Sequence, residues 1–336
     1  MTSYNNFSRI DANTSTIYSL ETTFSRTIKF ILLFIAELGS ICCSLFVLFN
    51  LILKRTLRRA LHNHTIITLV AVSFSHNITD LPMLLDYLRR GYALSSTFCL
   101  MWNFFGWSNY AIGIWTTTWA SFERHLLVFH SHLINTFRTK IFFHYIPLSM
   151  CIIIPWNYYV FLVFFYPCTN IFYQSILFCG FCCYAYNDQL VFFNWFAFGV
   201  IPTSLITVFS ISLIVRMIAQ KRRVQRRFQW RRYRFMVIQL LSISFLCMFY
   251  YIPTIILGII QIFLPRFGSD IQMLYLYYIG YLWPSLTPFF CLSTLQELWV
   301  KKRERVFSPM LLRDTHVNRL NKRIKSIEHV PERNAL

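Results

Sequence analysis

Few residues of this chain are spaced for bond-making chemistry. His62, His64, His76, His125, His130, His132 and His144 are scattered, and the pairs His62/His64 and His130/His132 lack the further ligands that a metal requires. No Gly-rich phosphate loop, G-x-S-x-G or H-E-x-x-H sequence occurs. These absences point away from an enzyme, and no cofactor or metal is expected. Two kinds of chemistry remain. Cys99, Cys168, Cys179, Cys182 and Cys183 fall between apolar runs, where they can form disulfides in an oxidising compartment, with one left over and the connectivity open. Glu37, Asp80, Asp86 and the run Glu123-Arg124-His125 place ionisable groups inside or at the edge of apolar sequence. Charge is costly there and is kept for function.

The elements that carry these residues follow from composition. The 336 residues are 56% hydrophobic and 13% charged, against about 25% charged in a soluble domain, and 35 Phe, 19 Tyr and 9 Trp exclude disorder. A membrane core about 30 Å thick takes roughly 20 apolar residues per helix. Seven stretches qualify: 27–53, 64–88, 98–123, 141–165, 190–218, 233–264 and 271–295. Pro82, Pro155, Pro202, Pro253, Pro284 and Pro288 interrupt them, as a packed bundle tolerates. The expected fold is an all-α seven-transmembrane helix bundle with a short amphipathic eighth helix.

Basic residues set the orientation. Of 32 Lys and Arg, 26 fall in the first, third and fifth connections and the C-terminal region, and 6 on the other side. Basic loops stay cytoplasmic, so the N-terminus is extracellular and the C-terminus cytoplasmic. The sequons at Asn6 and Asn13 then lie on the glycosylated side. Residues 1–26 are polar, so the first span serves as its own insertion signal. No internal repeat of the kind frequent in transporters is visible.

Cys99 opens the third span and Arg124 closes it 25 positions later, behind Glu123. Pro202 lies within the fifth span, Pro253 within the sixth with Tyr251 two before it, and Thr287-Pro288 precedes Phe289-Phe290-Cys291 near the inner end of the seventh. In this order and depth the chain resembles the rhodopsin-like G-protein-coupled receptors over roughly residues 29–302, and within them the divergent chemosensory type. It departs from the family pattern at Ser40, Ser73, Tyr251, Thr287 and Cys291, and Trp156 falls too late in the fourth span. Loss of the family's buried polar positions implies that no sodium pocket forms and that packing holds the resting state.

The resemblance implies that Glu123 holds Arg124 at rest and that Arg124 meets a heterotrimeric G protein when active, with Pro253 and Pro288 as hinges. It places an extracellular ligand of unknown class among Gly106, Trp107, Tyr110, Tyr251, Tyr277 and Tyr281. Gly106 stands where aminergic receptors carry Asp, which argues against a monoamine, and Tyr281 where opsins carry the Schiff-base Lys, which argues against a light receptor. It further implies a disulfide from Cys99 to Cys183, with Cys182 as the alternative, and leaves Cys168 and Cys179 to close a second loop. The loop 166–189 would form a lid.

The remaining regions are polar or interfacial. Residues 220–232 carry seven basic residues with Phe228 and Trp230, suited to anionic lipid at the cytoplasmic face and to an acidic partner surface; a loop tied to two spans does not suit nucleic acid. The domain order is an extracellular arm (1–26), the receptor domain (27–295), an amphipathic interfacial helix (296–307) around Leu298 and Trp299, and a cytoplasmic tail (308–336) with Ser308, Thr315 and Ser326 as phosphorylation points. The expected location is the plasma membrane. The rival function is a membrane transporter or channel for a small solute, which would place polar residues along several spans.

Overall fold

The computed structural model describes residues 22–58, 61–129, 136–223, 227–264 and 267–292; no side-chain description extends over 220–237. Asn6 and Asn13, the basic side chains of 220–232, the expected eighth helix and the tail lie outside what is described. Among the described residues the chain is helical, without strands. Seven long stretches follow one another. They are α1 (Thr23–Leu53), α2 (Leu61–Arg90), α3 (Ser96–Phe129), α4 (Phe137–Phe165), α5 (188–223), α6 (Arg227–Phe263) and α7 (269–292), the last interrupted by a turn at Tyr281.

Local sequence sets the ends. Thr22 Oγ1 accepts from Ser25 N at 3.2 Å to cap α1, and Asn187 Oδ1 accepts from Gln189 N and Leu190 N to cap α5, filling donors that a first turn leaves free. Gly91, at φ +82°, ends α2 with its N–H on the Tyr87 carbonyl, the left-handed close that glycine adopts without penalty. The sequence does not announce four wide turns with i→i+5 bonding: Ile141–Tyr145 and Phe161–Phe165 in α4, Phe196–Val200 in α5 and Gln272–Leu276 in α7. Each admits an extra residue into its helix and rotates the side chains that follow.

Four helices are long and apolar enough to cross a membrane: α1, α4, residues 188–219 of α5 and residues 238–261 of α6. They mark the chain as a membrane protein. Only about a third of each apolar window is buried. On α1 alone twelve large apolar side chains are exposed, among them Ile31, Leu32, Ile35, Phe46 and Phe49. Full burial of such a side chain is worth roughly 1.5–3 kcal/mol, so even half that value for twelve exceeds about 9 kcal/mol. A water-soluble domain has about 5–15 kcal/mol of net stability in all. Lipid contact removes this penalty.

Seven apolar spans were expected; α2, α3 and α7 are not among the four helices that meet this length and apolarity. The first two are the polar centre of the bundle. On α2, Asn63, Thr65, Ser73, His76, Asn77 and Asp80 are buried; on α3, Asn103, Asn109, Thr116, Thr117, Ser121, Glu123 and Arg124 are. Protein covers these faces, so they need not be apolar. Contacts place α2 against α1 and α3, and α3 against α2, α4, α5 and α6. The last helix returns to the first two, with Phe289 against Gly39 and the Lys29 ammonium 4.1 Å from the Tyr278 ring.

Packing was expected to hold the resting state in the main, and hydrogen bonds between helices are found beside it. Asn77 on α2 donates to Ser40 on α1 at 2.7 Å and accepts from Ser285 on α7 at 3.4 Å. Asn109 on α3 accepts from Ser75 and donates to Thr79, both at 3.2 Å. Away from water, the alternative to such bonds is an unsatisfied group, which fixes their partners firmly.

Candidate functional site: an aromatic cavity and a buried ionic cluster

A cavity of about 610 Å³ opens between α3, α5, α6 and α7, within the size range of small-molecule sites. All six sequence-predicted pocket residues, Gly106, Trp107, Tyr110, Tyr251, Tyr277 and Tyr281, line it. Aromatic rings make up thirteen of its twenty-five lining residues. Tyr110 is the hub below. Its ring centroid is 6.0 Å from Tyr250, 6.4 Å from Tyr281 and 6.1 Å from Trp283. Trp283 on α7 packs against Tyr251 and Gly113, where a Cβ would come within 2.7 Å of the indole. Where the resemblance expects a tryptophan on α6, the chain has Tyr251 there and fills the centre with Trp283 from α7.

The outer wall comes from α5. Gly258 on α6 makes room for Trp195, since a Cβ there would meet the indole Nε1 at 2.8 Å. Asn194 accepts a 2.7 Å hydrogen bond from the Tyr159 hydroxyl, joining α5 to α4. Gln261 on α6 donates to Gln272 on α7 at 2.9 Å and closes the rim. The wide turns of α5 and α7 put Phe198, Gly199 and Gln272 on the wall. Trp195, Asn194 and Asp188 were not among the expected residues, because the wide turn at Phe196–Val200 stands between them and Pro202 and shifts the register; Tyr250, beside Tyr251 on α6, was not among them either.

The loop 166–187 supplies the outer lining through Phe178, Phe181, Tyr184 and Ala185. Phe178 lies edge-on to Tyr277 at 5.5 Å and Phe181 is 5.9 Å from Trp107. Phe178, Cys179 and Phe181 all take positive φ, with Gly180 between them. Such a run costs roughly 1–2 kcal/mol per non-glycine residue and persists only where neighbours hold it. Asn103 holds it by donating to the Phe178 carbonyl at 2.8 Å, and Tyr173 N donates to the Cys179 carbonyl at 3.0 Å.

The disulfides differ from those the resemblance implied. Cys99 pairs with Cys179, at a Cα separation of 5.7 Å, and Cys168 with Cys183, at 6.1 Å. Two asparagines select this pattern. Asn103, one turn beyond Cys99, draws in the residue before Cys179; Asn170, two beyond Cys168, accepts from Cys183 N at 2.8 Å. Cys182 is free and buried beside Tyr159 and Tyr184, and burial pushes its thiol up to about 12.

Behind the cavity floor lies a buried acid–imidazole pair. Asp80 on α2 is fully buried, with Oδ2 at 3.1 Å from His76 Nε2. His76 lies edge-on to Tyr110 and Tyr281, each at 5.2 Å. Asp80 Oδ1 sits against Gly106, 3.2 Å from where a Cβ would stand. Neither carboxylate oxygen has a well-formed hydrogen bond among the described residues.

At the other end of α3, Glu123 does not pair with Arg124. It accepts from Thr65 on α2 through Oε2 and joins His144 on α4 through Oε1. His144 Nε2 is 3.2 Å from His64 Nδ1, and His64 Nε2 lies 2.6 Å from the Arg58 carbonyl. Arg124 is 4% exposed, and its Nη1 has no partner among the described residues. His125 Nε2 reaches the Phe209 carbonyl on α5 at 2.7 Å. The scatter of histidines gave no sign that His64 and His144 would meet Glu123, since 80 residues separate the first two and only tertiary packing joins them. Pro253 sits within α6 and Pro288 is buried near the end of α7. Among the described residues no group of three His, Cys, Asp or Glu is arranged to hold a metal ion.

Comparison with known proteins finds no family model that matches this chain, and no match among curated proteins.

Proposed function

We propose that the chain is a seven-transmembrane receptor of the G-protein-coupled, rhodopsin-like kind. It sits in the plasma membrane with the N-terminus outside, binds an extracellular ligand in the aromatic cavity and signals to a heterotrimeric G protein. The observation that carries this reading is the arrangement along α3. The cavity residues Gly106 to Tyr110 lie near one end, beneath a loop tied by Cys99–Cys179, and Arg124 lies near the other. At 1.5 Å per residue, 18 residues separate Gly106 from Arg124 by roughly 27 Å, close to the thickness of a membrane core.

A receptor needs two packings of one bundle, and a ligand shifts their balance only by its differential affinity. The cavity touches α3, α5, α6 and α7, so a ligand in it contacts every helix that would have to move. Pro253 and Pro288 remove backbone hydrogen bonds in α6 and α7 and supply hinges. Arg124, whose Nη1 has no hydrogen-bond partner among the described residues, is the group offered to the G protein.

The test is nucleotide exchange on a purified heterotrimeric G protein by the full chain in lipid nanodiscs, across a compound library. We expect Arg124→Ala to abolish exchange with surface expression retained. Full exchange by that variant would count against the reading. The buried Asp80–His76 pair is the feature that a transporter or channel for a small solute would use. Solute flux without exchange would decide for that alternative.

A further inference from the structure

We propose that the cavity takes an uncharged molecule with an apolar body and a carbonyl or hydroxyl oxygen, and that the free hydroxyls of Tyr110 and Tyr251 hydrogen-bond that oxygen. This deepens the receptor reading by naming the ligand's chemical class and rests on that reading for the site's purpose.

Seven tyrosines line the cavity, and their hydroxyls are not alike. Tyr159 donates to Asn194 at 2.7 Å, Tyr277 accepts from Gln272 at 3.5 Å, and the Tyr281 hydroxyl is sealed within protein. Tyr110 and Tyr251 differ from these. Neither hydroxyl has a hydrogen-bond partner among the described residues, yet neither is sealed from the open space beside it. Tyr251 is only 8% exposed and lines the cavity, so the space its hydroxyl meets is the cavity's own. The Tyr110 hydroxyl reaches over Gly280 on α7, 2.6 Å from where a Cβ would stand, so a larger residue there would displace it. A hydroxyl held away from bulk water without a partner is costly, and a ligand oxygen supplies the missing bond.

The rings of these two tyrosines are already engaged. His76, Tyr250, Tyr281 and Trp283 crowd Tyr110 with centroids 5.2 to 6.4 Å away, and Tyr250 and Trp283 pack on Tyr251 at 4.9 and 6.2 Å. The hydroxyl is the part of each left without a partner. Toward the outer loop, Trp107, Phe178, Phe181 and Tyr277 pack on one another at 5.5 to 6.4 Å and supply an apolar wall for the rest of the ligand.

Charge finds no such provision. Among the described residues of the lining, the one ionised side chain is Asp188, exposed in the first turn of α5. Asp80 is fully buried behind Gly106 and is not part of the lining. An ammonium or carboxylate placed beside Tyr110 and Tyr251 would leave water with no opposite charge to meet, and contact with crowded rings returns less than that desolvation costs.

The experiment uses the full chain in nanodiscs of zwitterionic lipid and four probes that share one phenylethyl body. Benzylacetone carries a ketone on it, isopentylbenzene an isopropyl group, phenethyltrimethylammonium a cation and hydrocinnamate a carboxylate. Binding is read from the rise of the thermal midpoint with probe concentration. Tyr110→Phe and Tyr251→Phe keep the ring and, because neither hydroxyl bonds within the protein, strand no partner. Each should weaken benzylacetone binding by about three- to tenfold, the worth of one neutral hydrogen bond, and change isopentylbenzene binding by less than about twofold. Each probe is compared with itself across the variants, so partition into lipid cancels. In the wild type, the cation and the anion should both bind more weakly than benzylacetone. The proposal is overturned by undetectable benzylacetone binding, by benzylacetone affinity that survives both substitutions, by an equal loss for isopentylbenzene, or by tighter binding of either ion. None of these readouts involves a G protein. Benzylacetone binding of the expected pattern in a chain that drives no nucleotide exchange would sink the receptor reading alone, and exchange without that pattern would sink this proposal alone.

Discussion

Replacing His144 with Leu leaves Glu123 buried with Thr65 as its remaining side-chain partner. Glu123 is 1% exposed and His144 fully buried, so water cannot take the imidazole's place. A buried polar group stripped of a partner costs about 1–3 kcal/mol, and an uncompensated buried charge about 3–5 kcal/mol. Thr65 keeps one hydrogen bond, which sets the expected loss at about 2–3 kcal/mol. At roughly 2–4 °C per kcal/mol for a chain of 150–250 residues, taken as the nearest scale, the thermal midpoint should fall by about 4–12 °C. Glu123→Leu alone should also destabilise, by stranding His144. The double variant should lie closer to wild type than the two losses added together, since apolar groups replace both partners of the Glu123–His144 bond and only the outlying Thr65 and His64 each lose a bond. The assay is thermal unfolding of the full chain in nanodiscs for all four members of the cycle. Single-variant losses that add to within about 0.5 kcal/mol in the double variant would show that the two groups do not interact and would refute the reasoning.

Other outcomes follow from the cavity and its covering loop. Peptide mapping without reduction should recover Cys99 linked to Cys179 and Cys168 linked to Cys183; a Cys99–Cys183 peptide would contradict the role given to Asn103 and Asn170. Cys182, with its thiol pushed by burial up to about 12, should resist a membrane-impermeant maleimide at pH 8 in the folded protein and react once it is unfolded, and rapid labelling of the native chain would show it to be accessible. Gly258→Ala should displace Trp195, costing about 1–3 kcal/mol of stability and narrowing the cavity. An unchanged thermal midpoint and unchanged tryptophan emission would show that Trp195 has room to spare.

What could be read without the structure was the chemistry of single positions and single helices. Apolar length locates helices, because it is set by residues close together in the chain; the caps at Thr22 and Asn187 came from the structure. Gly106, Trp107, Tyr110, Tyr251, Tyr277 and Tyr281 could be proposed together because the resemblance to the receptor family implies a ligand site there, matched by spacing from Arg124, Pro253 and Pro288. All six line one cavity. Trp195 and Gln272 were beyond that reasoning, since the wide turns at Phe196–Val200 and Gln272–Leu276 break the spacing it relies on.

The choice among partners belonged to tertiary structure. Cys99, Cys168, Cys179, Cys182 and Cys183 are equivalent by composition, and the pairing of Cys99 with Cys179 and Cys168 with Cys183, beside the bonds at Asn103 and Asn170, appears only in the tertiary structure. Glu123 adjoins Arg124 in the chain, yet neighbours one apart on a helix point in different directions, and the side chains that reach Glu123 come from α2 and α4. Asp80 read as an isolated acid until packing set it behind Gly106. Sequence thus determined which groups the membrane forces inward, because the cost of leaving them in lipid is a property of each residue. Which inward group meets which was decided by how the helices cross, because that depends on distances between residues far apart in the chain.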